Sequence, residues 1–128
     1  MVRARGERGA AVVDIVLVIV VLVPLVLGII QVALVMHVRN TLAAAASEGA
    51  RASSPLDASP ADGAARTRAV ISAALDDRYA RDVRSSWTKV DGLPGAVVEV
   101  RARVPALGLF GPSVPLTVRG HAVREVEP

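Results

Sequence analysis

Cysteine is absent from the chain, which rules out disulfides, thiolate catalysis and most structural zinc sites. Aromatic residues are almost as scarce: one Trp, one Tyr and one Phe make 2% of the chain. A core rich in rings cannot be built from three of them, nor can the stacking platform of a base-binding module. A formal net charge of +3 is spread thinly along the sequence, with no basic stripe that would argue for nucleic acid. Catalytic groupings are missing too. His37 and His121 have no spacing that suggests a metal or a nucleophile pair, and the serines cluster in turn-like segments. No glycine pattern that cradles phosphate occurs, and Gly92 and Gly95 read as turn residues. Adjacent Asp76 and Asp77 would point to different sides of a helix, as solvated charges rather than metal ligands. The expectation is a protein without enzymatic activity, cofactor, small-molecule substrate or nucleic-acid partner.

What the chain has in abundance is aliphatic sequence. Ala, Val and Leu dominate the 52% hydrophobic content, and much of it is concentrated in one run from Ala10 to Met36. As a helix this run reaches about 40 Å at roughly 1.5 Å per residue, against about 30 Å for the hydrocarbon core of a bilayer. No polar side chain interrupts it between Ile15 and Ile30. Buried helices of soluble proteins seldom sustain such a run, so a membrane span is expected. Pro24 and Gly28 lie inside it, and membrane helices tolerate both; Pro24 removes one backbone donor and is expected to bend the helix. Arg3, Arg5 and Arg8 precede the run while only His37 and Arg39 follow closely. The amino terminus is therefore expected in the cytoplasm and the remainder outside. The run is too long for the apolar core of a cleaved secretory signal and closes on no small-residue site.

Asp14 is the anomaly. A carboxylate in a span is costly, by about 2.5–3.5 kcal/mol at the centre and less near an end. It could simply complement the helix dipole in the first turns and reach the headgroups. Its position is more specific than that: a basic leader ends at Gly9, four apolar residues follow, and Asp14 is then the fifth residue of a chain starting at Ala10. That order matches a processing signal cut on the cytoplasmic side. Gly9 suits the leader side of such a cut, because a residue without a side chain lets a protease approach the backbone.

The stretch RGAAVVDIVLVIVVLVPLVLGIIQVALVMHVRNTLAAAASEGAR resembles the TadE-like proteins of tight-adherence (Tad/Flp) pilus systems, minor pseudopilins or pilus-assembly proteins of bacteria. The likeness rests on RGAAVVD at residues 8–14, on Pro24 and Gly28, on EGAR at residues 48–51 and, more weakly, on the closing VPLTVRGHAVREVE. Members commonly carry Glu and an aromatic residue where this chain has Asp14 and Ile15. The resemblance implies cleavage between Gly9 and Ala10 by a prepilin peptidase, and pairing of Asp14 with the new amino terminus of an adjacent subunit. Such a pair fixes axial register more than it adds stability, because either charge buried alone is heavily penalised. The partners it implies are the membrane and other pilins or pilus-assembly proteins. The competing reading is an unprocessed single-span protein whose outer domain binds or regulates another component of the cell envelope.

Beyond the span, NTLAAAASEGARASS continues as helix on strong alanine propensity, with Glu48 and Arg51 three apart on one face. Its small residues would allow close approach of a neighbouring helix or of the chain's own domain. SSPLDASPADG breaks the helix. Residues 61–82 regain helical spacing, with Val70, Ile71, Ala74, Leu75 and Tyr79 on one side. The last third alternates with period two, which gives strands around Trp87–Val90, through GAVVEVRARVP and through SVPLTVRGHAVREVE, with a bulge expected at Gly120. PALGLFGP is an apolar connection carrying Leu107, Leu109 and Phe110. The expected architecture is an α+β, pilin-like chain: a basic leader over 1–9, a transmembrane helix over 10–36, a helical stalk over 37–52 and a linker over 53–61. A small extracytoplasmic domain over 62–128 follows, in which an amphipathic helix packs on a three-stranded antiparallel sheet.

Overall fold

The computed structural model describes residues 2–106 and 113–126, with side chains from residue 6 onward. One helix, α1, runs without interruption from Val2 to Ala52 and carries Pro24 inside it. A shorter helix, α2 (Pro60–Ala74), and a 3-10 turn (Asp77–Ala80) lead into strands β1 (Asp82–Val90), β2 (Leu93–Val104) and β3 (Val114–Val123). The strands form an open antiparallel sheet in the order β1-β2-β3. The fold is therefore α+β, a long apolar amino-terminal helix followed by a second helix and a three-stranded sheet. Leu107, Leu109 and Phe110 lie outside the described residues.

Local chemistry accounts for most element ends. Pro60 opens α2, where its missing N–H costs nothing, and the Asp62 carboxylate reaches back to accept the Ser59 N–H at 2.7 Å. The second helix stops at Ala74, short of the expected Asp82. Leu75 turns extended there, and the Asp76 carboxylate accepts the Arg78 N–H at 3.0 Å, which nucleates the 3-10 turn instead. Strand β1 consequently starts at Asp82 rather than near Trp87; its first half, DVRSS, has a single apolar residue facing inward and so little alternation to detect. Asp91 and Gly92 both adopt positive φ, 51° and 80°, and join β1 to β2 in the two-residue turn that suits the twist of a hairpin. Gly95 is not part of that turn. It lies within β2, opposite Thr88 and Val123, where a Cβ would come within 2.6 Å of the Ala122 carbonyl oxygen.

No bulge interrupts β3. Its register with β2 is continuous from Gly95↔Val123 to Val104↔Val114. The inward positions are Leu116, Val118, Gly120 and Ala122, so what looks in the sequence like a slip in alternation is an inward site without a side chain. The backbone of α1 at Ala46 and Ser47 fills that space, and a Cβ on Gly120 would overlap it.

The core lies between one face of the sheet and both helices. Val38, Leu42, Ala45, Ala46 and Ala50 of α1 are buried with Val83, Val98, Val100, Val104, Leu116 and Val118 of the sheet and with Ile71 and Tyr79. Helix α1 covers β2 and β3, while α2 covers chiefly β1. The second half of α1 is thus a core element of the domain, and α2 supplies the smaller part of the cover. The carboxy-terminal segment closes the far end: the Glu125 N–H donates to the Ser54 carbonyl at 2.9 Å, and the Arg124 guanidinium lies 4.5 Å from the Trp87 ring centroid.

Candidate assembly helix and its docking seam

Two surfaces of α1 have opposite characters. From Val12 to Ile30 every residue is exposed, including Leu17, Val21, Leu25 and Ile29, whereas from Val38 to Ala50 the inward side is fully buried. An aliphatic surface of that length is not stable in water. By length and composition the helix is long and apolar enough to cross a membrane. Gly9, Ala10 and Asp14 all lie on this exposed part, and among the described residues nothing approaches the space a Gly9 side chain would occupy. Among the described residues Asp14 is exposed and makes no ion pair. Pro24 and Gly28, with Leu25, Ile29, Val32 and Ala33, line a shallow apolar groove on the same part of the helix.

Where α1 enters the domain, glycine and alanine set the geometry. A Cβ on Gly49 would overlap the Thr67 hydroxyl of α2 and come within 2.6 Å of the Gly63 carbonyl oxygen. Helices in such contact are held backbone to backbone, as small residues allow. Thr67 is buried in the crossing and its hydroxyl donates at 2.8 Å to the Gly63 carbonyl of its own helix. Beside it, Glu48 accepts from Arg66, with Nε at 2.9 Å. Glu48 therefore pairs across to α2, not along its own helix with Arg51. The EGAR segment, to which the sequence assigned no chemistry, is the seam that joins α1 to the domain, and of the two partners its small residues allowed it is the chain's own domain that approaches closely.

The outer face of the sheet is polar and cationic. Glu99, in the middle strand, accepts from Arg101 at 2.6 Å and from Arg119 at 2.7 Å. The Arg119 bond first, and the Arg101 bond next, hold its carboxyl below the usual glutamate range. Asp76 is likewise lowered, chiefly by the Arg78 N–H and then by the Arg78 side chain. His121 lies on the exposed outer face, and His37 is exposed on α1. Among the described residues no group of three or more His, Asp or Glu is placed to hold a metal ion.

No curated protein and no solved structure matches the chain significantly. Residues 9–51 match the family model described as TadE-like protein, a segment that begins at Gly9 and ends with the EGAR seam. Over that helix, and over it alone, the chain is similar to TadE-like proteins.

Proposed function

We propose that the protein is a structural or assembly component of a tight-adherence pilus, a minor pseudopilin whose exposed amino-terminal helix packs against the helices of neighbouring subunits. The observation that carries this reading is the division of α1: one half is consumed by the domain core, while the half bearing Gly9, Ala10, Asp14 and the Pro24–Gly28 groove contacts nothing in the described chain. A prepilin peptidase cutting between Gly9 and Ala10 leaves a cationic amine in the apolar layer, and the Asp14 carboxylate of an adjacent subunit neutralises it. Both charges are then tolerated where either alone would be penalised. The leader lies in the cytoplasm and the sheet domain outside it, as the arginines ahead of the span favour.

Co-purification with the pilus machinery, at matched membrane levels, tests this. Asp14→Ala should insert and be cleaved yet fail to co-assemble, whereas Asp14→Glu should assemble. Normal assembly of the alanine variant would sink the pairing and favour a plain anchor whose outer domain serves another envelope component.

A further inference from the structure

The way the domain is fixed on α1 sets its height relative to a membrane. The Gln31 side-chain amide donates to the Pro105 carbonyl at 3.2 Å, which ties the end of β2 to the level of residue 31. Higher up, Gly120, paired with Val98, lies against Ala46. From Val98 to Pro105 the strand advances about 23 Å at roughly 3.3 Å per residue, and from Ala46 to Gln31 the helix advances about 22 Å at roughly 1.5 Å per residue. The equal rises mean that the strands run nearly along the helix axis. Below Gln31 the helix is uncovered, and Gly9 to Ile30 measures about 33 Å, close to the hydrocarbon thickness of about 30 Å. The β2 end of the domain therefore comes down at the bilayer surface, with Leu34 and Val35 already packed on the core above it.

That end is basic. Arg101 and Arg103 on β2, with Arg78 and Arg81 where the 3-10 turn feeds β1, surround a cleft of about 500 Å³ that contains one acidic lining residue, Asp82. Strand pairing sets Asp82 directly beside Arg101, so the turn and the strand end share one rim. Asp82 is 3.3 Å from Arg84 outside the cleft, and among the described residues neither Arg81 nor Arg103 has a carboxylate within ion-pair distance. Arg103 lies about 7 Å and Arg101 about 13 Å above Pro105 along the strand. The headgroup layer is about 5–7 Å deep, within reach of long side chains from these heights.

We propose that this arginine rim docks the domain onto anionic lipid headgroups, with the guanidinium groups binding lipid phosphates. The proposal rests on the reading that α1 spans the membrane. Planar guanidinium groups suit phosphate oxygens. Arg78 and Arg101 are already paired with Asp76 and Glu99, so Arg81 and Arg103 carry the uncompensated charge of the cleft, with Arg103 the nearer to the phosphates along the strand. Because the domain is fixed on α1, docking sets the tilt of helix and domain together against the bilayer, and leaves the hairpin end with Asp91 and Gly92 directed away from the membrane.

The test uses the full chain reconstituted into phosphatidylcholine vesicles with or without phosphatidylglycerol. A fluorophore is placed on Thr117→Cys, at the cleft, or on Lys89→Cys, near the hairpin end, and a headgroup-linked spin label quenches it. Quenching at Thr117 should rise when phosphatidylglycerol is present and fall in high salt, while Lys89 should show neither response. Replacing Arg81 and Arg103 by Gln should shift the domain toward the undocked state by about fivefold for each arginine removed, at about 1 kcal/mol each. Unchanged Trp87 fluorescence would show that the variants keep their fold. Quenching indifferent to lipid charge or to the substitutions would overturn the proposal. So would quenching set by protein density, which would place a neighbouring chain in the cleft. Carbonate washing separates the two readings: release of the chain defeats the span and the docking together, whereas an embedded chain that ignores lipid charge defeats docking alone.

Discussion

Gly49 of α1 and Gly63 of α2 face each other so closely that a Cβ on Gly63 would lie 2.7 Å from the Gly49 carbonyl oxygen, and one on Gly49 would lie 2.6 Å from the Gly63 carbonyl oxygen. Neither helix can take a side chain there without separating. Gly49→Ala should therefore destabilise the domain by about 1–3 kcal/mol, the usual cost of overpacking. Glu48→Ala, which removes only the exposed ion pair with Arg66, should cost less than about 1 kcal/mol. Thermal melts of the detergent-solubilised chain would compare them. An equal or greater loss from Glu48→Ala would mean that charge, not close approach, holds the seam.

Glu99 supplies a pH signature. Its carboxyl is held low in the folded chain by Arg119 and Arg101. A depressed acid contributes stability that is present above its unfolded value and is lost as pH falls through the folded one. Glu99→Gln should melt slightly below the parent near neutrality, and the gap should close as the pH falls below the ordinary glutamate range. A gap that persists in strong acid would assign the effect to packing.

Processing is open to a direct measurement. Protein from the native host should have the mass of a chain beginning at Ala10, and Gly9→Leu should retain the leader. Gly9 is exposed and its Cβ would meet none of the described residues within 4 Å, so the substitution should leave the domain's melting unchanged. A native chain that still starts at Met1 would rule out cleavage.

The sequence by itself determined the elements whose causes are local. The run from Ala10 to Met36 has no polar side chain to interrupt it from Ile15 to Ile30, so its helix could be read without any partner. Period two in GAVVEVRARVP marks β2, and Asp91–Gly92 marks the hairpin, because alternation and positive φ are properties of neighbouring residues. The leader pattern ending at Gly9, with Asp14 after it, is also linear. Where the local signal was weak, as in DVRSS, or where an aspartate cap competed with helical spacing, as at Asp76, the boundaries moved.

Only the tertiary structure decided what depends on residues far apart in the chain. Gly120 reads as a break in alternation until the backbone of Ala46 and Ser47 is seen to fill its place. Glu48 turns from Arg51 to Arg66 because α2 crosses beside it. Arginines spread over positions 78, 81, 101 and 103 form no stripe in the sequence. They converge because antiparallel pairing sets Asp82 beside Arg101 and brings the 3-10 turn to the end of β2. Charge is a sum over space rather than over sequence, so a chain with a net charge of only +3 can still present a concentrated cationic rim once strand register has placed its residues.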